Sequence, residues 1–460
     1  MHIPINWLGE YVELPQGVTG EQVAADLVRL GFEEESLGAQ MITGPLVVGK
    51  VLSREPEPQK NGKVINWCQV DVGDANGTGE PQGIVCGAHN FAPGDLVVVI
   101  LPGGVLPGGF EITARKTYGH VSAGMICSVA ELGIGEDHDG ILVITDRPDA
   151  DGLVPGQDAI GLLGLDRETV EINVTPDRGY CFAIRGVARE YAASTGAAFT
   201  DPATGLGQRA PKGDESGHPV RLEDAAPIRG RQGCDRYVAR VVRGVDVAAP
   251  TPAWMATRLT EAGMRPISLP VDITNYVMLD LGQPLHAFDA ATLQGPIVVR
   301  RARPGERLTT LDDVDRALSE EDLLITEDGE RPLAIAGVMG GEDSEVGERT
   351  TDVLIEAAHF DPVTVARSAR RHKLPSEASR RFERGVDPAL APAAAQLAVD
   401  LLVEHGGGRV DEGVTDVGEP LLPQPVTLPA AMPGRIVGVD YTPEQVTDAL
   451  VRVGCEVSGS

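Results

Sequence analysis

Between Pro45 and Thr145 the chain breaks into short apolar runs at fairly regular intervals: Leu46 to Leu52, Val64 to Val72, Ile84 to Cys86, Leu96 to Leu101 and Ile141 to Ile144. Gly and Pro punctuate them, which predicts a small β-barrel. The sequence before the barrel has a different period. After Trp7 and Leu8, read as an extended stretch, Thr19-Gly-Glu-Gln22 forms a capping box. Val23, Leu27 and Leu30 then share one helical face, and Gly31 can end the helix in a left-handed conformation. Far along the chain, Thr442-Pro-Glu-Gln445 is followed by Val446, Leu450, Val453 and Gly454 with the same cap, spacing and stop. Agreement over about a dozen positions points to two copies of one small helical module.

At 460 residues the chain predicts about three domains. Its 39 basic and 68 acidic side chains leave a formal charge of −29, which excludes a protein that coats nucleic acid through a basic surface and confines any such contact to local patches. A hydrophobic content of 42% is enough for real cores. The apolar runs fall far short of the roughly 20 residues that span a bilayer, and Met1 to Trp7 lacks the order of a signal peptide. The six cysteines show no CxxC and no short CxH spacing, so neither a disulfide framework nor a zinc site is expected and a reducing cytoplasm fits. Residues 200–218 and 411–428 read as connections rich in turn formers, and between Arg221 and Val399 strands and helices alternate in a larger mixed domain.

Three clusters carry candidate chemistry. Within the barrel stand Ile84-Val-Cys-Gly-Ala-His-Asn90, Leu101-Pro-Gly-Gly104 and Ser122-Ala-Gly-Met-Ile-Cys-Ser128. Barrels of this size bind RNA on an open face, although Gly-rich stretches also simply turn corners. In the mixed domain, Asp272-Ile-Thr-Asn-Tyr-Val-Met278 and Leu281-Gly-Gln-Pro-Leu-His-Ala-Phe-Asp289 set Thr274, Asn275 and His286 in an apolar stretch, where each needs a partner if buried. His286 alone fits a satisfied core histidine as well as a functional one. Leu333-Ala-Ile-Ala-Gly-Val-Met-Gly-Gly341 offers backbone amides for close approach to a ligand, and Glu356 lies in the apolar run Val353 to Ala358, either exposed or buried against a donor. The run Arg367 to Arg384 carries seven Lys or Arg and two Glu, which suits a solvated helix face. Arg229, Arg231, Arg236, Arg240 and Arg243 form a second, strand-like basic group.

The motifs VCGAHN, LPGG and SAGMICS resemble the EMAP-type tRNA-binding domain. TNYVMLDLGQPLHAFD, AGVMGG, IEAAHFDP and SEASRRFERGVDP, in this order, closely resemble the β subunit of bacterial phenylalanyl-tRNA synthetase. The resemblance implies an α+β multidomain chain: a helical module from 1–39 and 152–200, an OB-fold barrel inserted at 40–151, a mixed α/β editing domain at 215–400, and the start of a second helical module at 420–460. It implies an editing pocket of Thr274, Asn275, Pro284, His286, Ala336, Gly337 and Glu356 that hydrolyses tRNA charged with tyrosine, with His286 and Glu356 catalytic. Lys50, Arg115 and Lys116 are the implied tRNA-backbone contacts, as alternatives to plain solvated cations. The implied partners are tRNA(Phe) and an α subunit in an α2β2 tetramer, with ATP and Mg2+ serving the whole enzyme. No metal ligand is carried over, since the family's magnesium segment would lie beyond Ser460, and the chain reads as the N-terminal portion of such a subunit.

An apolar pocket rejects the extra hydroxyl of tyrosine only weakly, so a second, hydrolytic site is useful. Glu356 as a carboxylate would accept from that hydroxyl, His286 would orient water or the terminal ribose, and amides around Gly337 would stabilise an oxyanion. No nucleophile-base triad is present in the motifs, so direct attack by water is expected. Two departures from the family pattern stand out. Asp177-Arg178-Gly179-Tyr180 replaces the more usual Asn-Arg-Gly-Asp, and Leu269-Pro270 replaces a polar pair near the pocket. The competing readings are a noncatalytic tRNA-binding or assembly protein and a metal-dependent hydrolase, the latter disfavoured by the lack of clustered His and carboxylates.

Overall fold

The run Leu96–Ile100 is apolar at every position because both its faces are covered. Val97 and Val99 join Val47, Val51, Val70 and Ile84 in one cluster, while Val98 and Ile100 join Leu46 and Val48 in another. The computed structural model describes residues 1–39, 42–59, 62–134, 140–145, 147, 150–165, 167–214, 216–421 and 424–459. Residues 40, 215 and 460, which bound three of the expected segments, lie outside them. Two units emerge, one of Gly38–Glu168 and the other of Met1–Leu37 with Thr169–Ser460.

In the first unit five antiparallel strands run in the order Met125–Ile126, Leu96–Ile100, Leu46–Pro58, Val64–Asp71 and Gln82–Cys86. The two outer edges meet: the Ala123 amide donates to the Gly83 carbonyl at 3.0 Å and the Val85 amide to Ser122 Oγ at 3.1 Å. The sheet is thus a nearly closed barrel. A Cβ at Gly49 would stand 2.6 Å from Val99 and 2.7 Å from Val70, so this strand is glycine where its neighbours crowd it. Ile141 to Ile144, expected as a strand, makes only an isolated bridge from Val143 to Val97, and Met125–Ile126 supplies the fifth strand. Residues from 152 do not return at once to the helical segments. The helix Ala159–Leu163 covers the barrel's outer cluster through Ala159, and the Val48 amide donates to the Gln157 carbonyl at 2.9 Å.

In the second unit the helix Gly20–Val28 has its capping box formed and buries Val23 and Leu27 in the cluster that holds Val187 and Tyr191 of the helix Ile184–Thr195. Trp7 lies in a single helical turn, Ile5–Leu8, rather than an extended stretch, because its indole stacks on Tyr276 and donates to Asp280 at 2.9 Å. The expected linker at 200–218 contains a helix, Pro202–Arg209, capped by Asp201 and anchored by buried Leu206. The connection at 411–428 contributes a strand, Thr415–Val417. The capping box at Thr442 is present, yet its helix Pro443–Arg452 buries no residue.

The mixed part is two packed sheets. One has the order Leu285–Asp289, Asp352–Phe360, Cys234–Arg243 and Arg409–Val410, with Thr415–Val417 also on Cys234–Arg243. The other runs Val220–Glu223, Ile297–Arg301, Leu323–Glu327, Arg331–Ile335, Met339–Gly340. Successive side chains of Asp352–Phe360 point to opposite faces. Val353 and Ile355 meet Leu269, Ile273 and Val277 of the helix Leu269–Leu281, and Ala357 meets Ala391 and Ala395. Leu354, Ala358 and Phe360 pack toward the other sheet with Ile325 and Ile335. Parity therefore puts Glu356 between the sheets.

Candidate active site

Glu356 and His286 are directly opposite across neighbouring antiparallel strands, so their side chains share the inner face. Tyr237 reaches the same face from the other side of Glu356: it pairs with Ala358, and its hydroxyl donates to Glu356 Oε2 at 3.0 Å. Glu356 and His286 border a small cavity of about 70 Å³ whose walls also include Pro284, Gly337, Gly340 and Phe382, and Tyr237 lies behind Glu356. Room for the imidazole comes from Gly340, where a Cβ would stand 2.5 Å from the ring. Gly337 takes a positive φ of 68° in the turn after Arg331–Ile335, with Phe360, Val365 and Phe382 close about it.

Burial sets the protonation of both groups. Glu356 is 5% exposed, and desolvation pushes its carboxyl up to about 8, with the Tyr237 hydrogen bond working the other way. At neutral pH it is a carboxylic acid and not the expected carboxylate. His286 is pushed down to about 4 by desolvation, and its Nε2 is buried without a hydrogen-bond partner among the described residues. The site thus holds a neutral acid beside a neutral imidazole, the kind of divergence that separates donor from acceptor.

Pro284, Gly337, His286 and Glu356 come together as the sequence suggested, and Ala336 is buried in the same turn. Thr274 and Asn275 do not reach the cavity wall. They lie on Leu269–Leu281, which packs on the opposite face of the sheet, and the Thr274 hydroxyl is spent on the Val271 carbonyl. Leu269 is fully buried in that same outer cluster, so the Leu269-Pro270 departure does not alter the wall. At Asp177-Arg178-Gly179-Tyr180, Arg178 donates to the Leu30 carbonyl and Tyr180 to Glu190. The amides of Ala336 and Val338 already donate to Leu323 and Ile335, which narrows the expected oxyanion donors to the Gly337 amide. Sequence reasoning missed Tyr237. Its only signal was a tyrosine at inner-face parity in Cys234–Arg243.

Most cations of the basic run make ion pairs within the chain, several sharing one carboxylate. Arg367 and Arg371 pair with Glu321, Arg380 and Arg381 with Glu377, and Arg384 with Glu383. Arg236 and Arg243 of the other group pair with Asp416 and Asp352. On the barrel, Lys50 lies exposed on Leu46–Pro58, while Arg115 and Lys116 are exposed on the hairpin Arg115–Thr117/His120–Ser122. Arg115 rests over the half-exposed ring of Phe110, an aromatic the sequence did not single out. A larger open hollow of about 460 Å³ borders Asp224, Asp235 and Glu419, but Asp224 is bound to Arg301 and Asp235 to His359.

Two family models match the chain, "B3/4 domain" over residues 233–407 and "Putative tRNA binding domain" over residues 46–150. The phenylalanine-tRNA ligase beta subunit of Bifidobacterium longum is 53% identical over 478 residues, covering 99% of this chain and 55% of that protein. That of Leifsonia xyli is 55% identical over 470 residues, covering 100% and 55%. The chain is a homologue of the phenylalanine-tRNA ligase β subunit. It spans about half the length of the curated relatives it matches. A solved N-terminal fragment of the phenylalanyl-tRNA synthetase β subunit from Pyrococcus horikoshii is 13% identical, covers 64% of this chain and 79% of that one, and has a TM-score of 0.27. Similarity to the ligase β subunits includes both the barrel and the two-sheet part that holds Glu356.

Proposed function

We propose that this chain carries the tRNA-binding and editing functions of a phenylalanine-tRNA ligase β subunit, working in the cytoplasm with an α subunit in an α2β2 assembly that joins phenylalanine to tRNA(Phe). The barrel is read as an OB-fold that meets tRNA through Lys50, Arg115 and Lys116. ATP and Mg2+ belong to aminoacylation by the assembled enzyme. Among the described residues no group of three or more His, Cys, Asp or Glu comes together to hold a metal, and no ligand is assigned to this chain. Alone it does not aminoacylate.

The reading of the two-sheet cavity as an editing site rests on one observation: a neutral acid, Glu356, and an unpartnered imidazole, His286, side by side in a buried apolar pocket. The tyrosyl ring enters the cavity, with its phenol toward Glu356. At about 70 Å³ the cavity is smaller than the roughly 150 Å³ that takes a benzene ring, so entry requires the wall to yield, and Met339 is the most adaptable side chain there. Water held by His286 Nε2 attacks the ester carbonyl carbon, and the Gly337 amide takes the developing negative oxygen. The carbon-oxygen bond to the ribose breaks, and the ribose oxygen leaves with the proton that the attacking water gives up through His286. A phenylalanyl ring would leave the buried Glu356 hydroxyl unpaired, which is the larger source of discrimination in such sites.

Incubating the chain with Tyr-tRNA(Phe) and Phe-tRNA(Phe) tests this. Tyr-tRNA is deacylated preferentially, His286→Ala slows the reaction by about a hundredfold, and Glu356→Ala erases the preference for tyrosine. Retention of intact Tyr-tRNA, or an unchanged rate in both variants, would instead make the chain a noncatalytic tRNA binder.

A further inference from the structure

Glu356 has two oxygens, and the sheet treats them differently. Oε2 accepts from Tyr237, a fully buried residue in the cluster that also holds Leu354, Ala358 and Phe288. Oε1 has no hydrogen-bond partner among the described residues, although Glu356 borders the cavity. A neutral carboxyl carries one proton, and an oxygen that already accepts a hydrogen bond is the poorer place for it. The proton therefore resides on the other oxygen.

We propose that Tyr237 is a positioning residue for tyrosine specificity: by holding Glu356 Oε2, it fixes Oε1 as a hydroxyl donor aimed at the phenol oxygen of the tyrosyl group. The inference rests on the editing reading and adds a residue and a polarity to it. Glu356 donates; the substrate phenol accepts. Tyr237 never touches the substrate in this arrangement, since Glu356 stands between them in the sheet.

The electrostatic surroundings of Glu356 are few. Tyr237 and Cys234 face it from one strand, both held neutral by burial, and neutral His286 faces it from the other. The second sheet and the helix Glu377–Phe382 present apolar Ile325, Ala334, Ile335, Ala378 and Phe382 to the cavity. Hydrolysis of Tyr-tRNA accordingly falls as pH rises through about 8, where Glu356 loses the proton it donates. Tyr237 donation favours the ionised form, so its removal moves that descending limb to higher pH.

The test compares the unaltered chain, Tyr237→Phe and Glu356→Ala in single-turnover deacylation of Tyr-tRNA(Phe) and Phe-tRNA(Phe) across pH. Tyr237→Phe keeps the ring and removes the hydroxyl. Its expected effect is about a tenfold loss of the tyrosine-to-phenylalanine preference, carried by the Tyr-tRNA rate, with the alkaline limb shifted upward. In isotope-edited infrared spectra the carboxyl C=O band of Glu356 moves to higher frequency in the same variant. An unchanged preference, limb and band in Tyr237→Phe, with preference lost in Glu356→Ala, overturns the role of Tyr237 and leaves the editing reading intact. If Glu356→Ala keeps its preference, or the unaltered chain does not deacylate Tyr-tRNA at all, the editing reading fails and the inference falls with it.

Discussion

Replacing Glu356 with Gln should make the two-sheet part less sensitive to pH, by an amount that follows from burial. The carboxyl holds its proton to about pH 8 in the fold, against an ordinary value of 4.5. A folded value raised above the unfolded one gives stability that is complete below 4.5 and is lost as pH climbs through about 8. Between about pH 5 and 7 the unfolded chain sheds this proton and the folded chain keeps it, which costs the fold about 2–3 kcal/mol, with roughly 1 kcal/mol more by pH 9. Glutamine keeps an acceptor for Tyr237 and cannot ionise, so it lacks this slope. Other titrating groups, His286 among them, act equally on both proteins and cancel in the difference. Because the chain has two units, a single melting curve would mix transitions, and native-state hydrogen exchange of Asp352–Phe360 isolates the relevant one. Relative to the unaltered chain, the opening free energy of Glu356→Gln should rise steadily with pH. A flat difference would show that Glu356 ionises in the fold as it does in water and that the neutral-acid site is wrong.

Gly340→Ala should push the imidazole of His286 out of place, lowering Tyr-tRNA deacylation and costing about 1–3 kcal/mol in urea unfolding, since the added Cβ would sit 2.5 Å from the ring. Asp280, buried beneath Trp7 and Tyr11, has its carboxyl pushed up to about 6 from 3.8. The fold around it should gain roughly 2 kcal/mol as pH falls from about 7 to 4, and Asp280→Asn should remove that gain in Trp7 fluorescence melts. Thr19→Ala removes a formed cap on a helix with one buried face and should cost about 1 kcal/mol of local stability by hydrogen exchange of Gly20–Val28.

Period and capping made much of the architecture legible. The barrel runs and both capping boxes follow from local pattern, and parity along Val353 to Ala358 gives the face of Glu356 once a strand is assumed. What stayed hidden depends on which distant surface covers each element. Trp7 becomes helical through Tyr276 and Asp280, far away in sequence. The turn formers at 200–218 still make a helix because Leu206 finds a core. Thr274 and Asn275 share a motif with His286, yet a helix and a strand on opposite sides of one sheet cannot present them to one cavity.

The same separation of local from distant causes resolves the charge. A −29 chain is a poor match for a polyanion only if the site itself is negative. Here the cavity acid is protonated at neutral pH and its neighbouring imidazole is uncharged, so the pocket contributes no formal charge of its own. Most cations of the basic run near it are held in pairs within the chain, several sharing one carboxylate. On the editing reading proposed above, selectivity at Glu356 comes from hydrogen-bond polarity rather than from ion pairing. Screening by salt acts on charges and hardly on a buried neutral pair. Tyrosine preference should accordingly hold between low and physiological ionic strength while tRNA affinity weakens, and a preference that collapsed with salt would mean that charge, not the Tyr237-Glu356 pair, reads the amino acid.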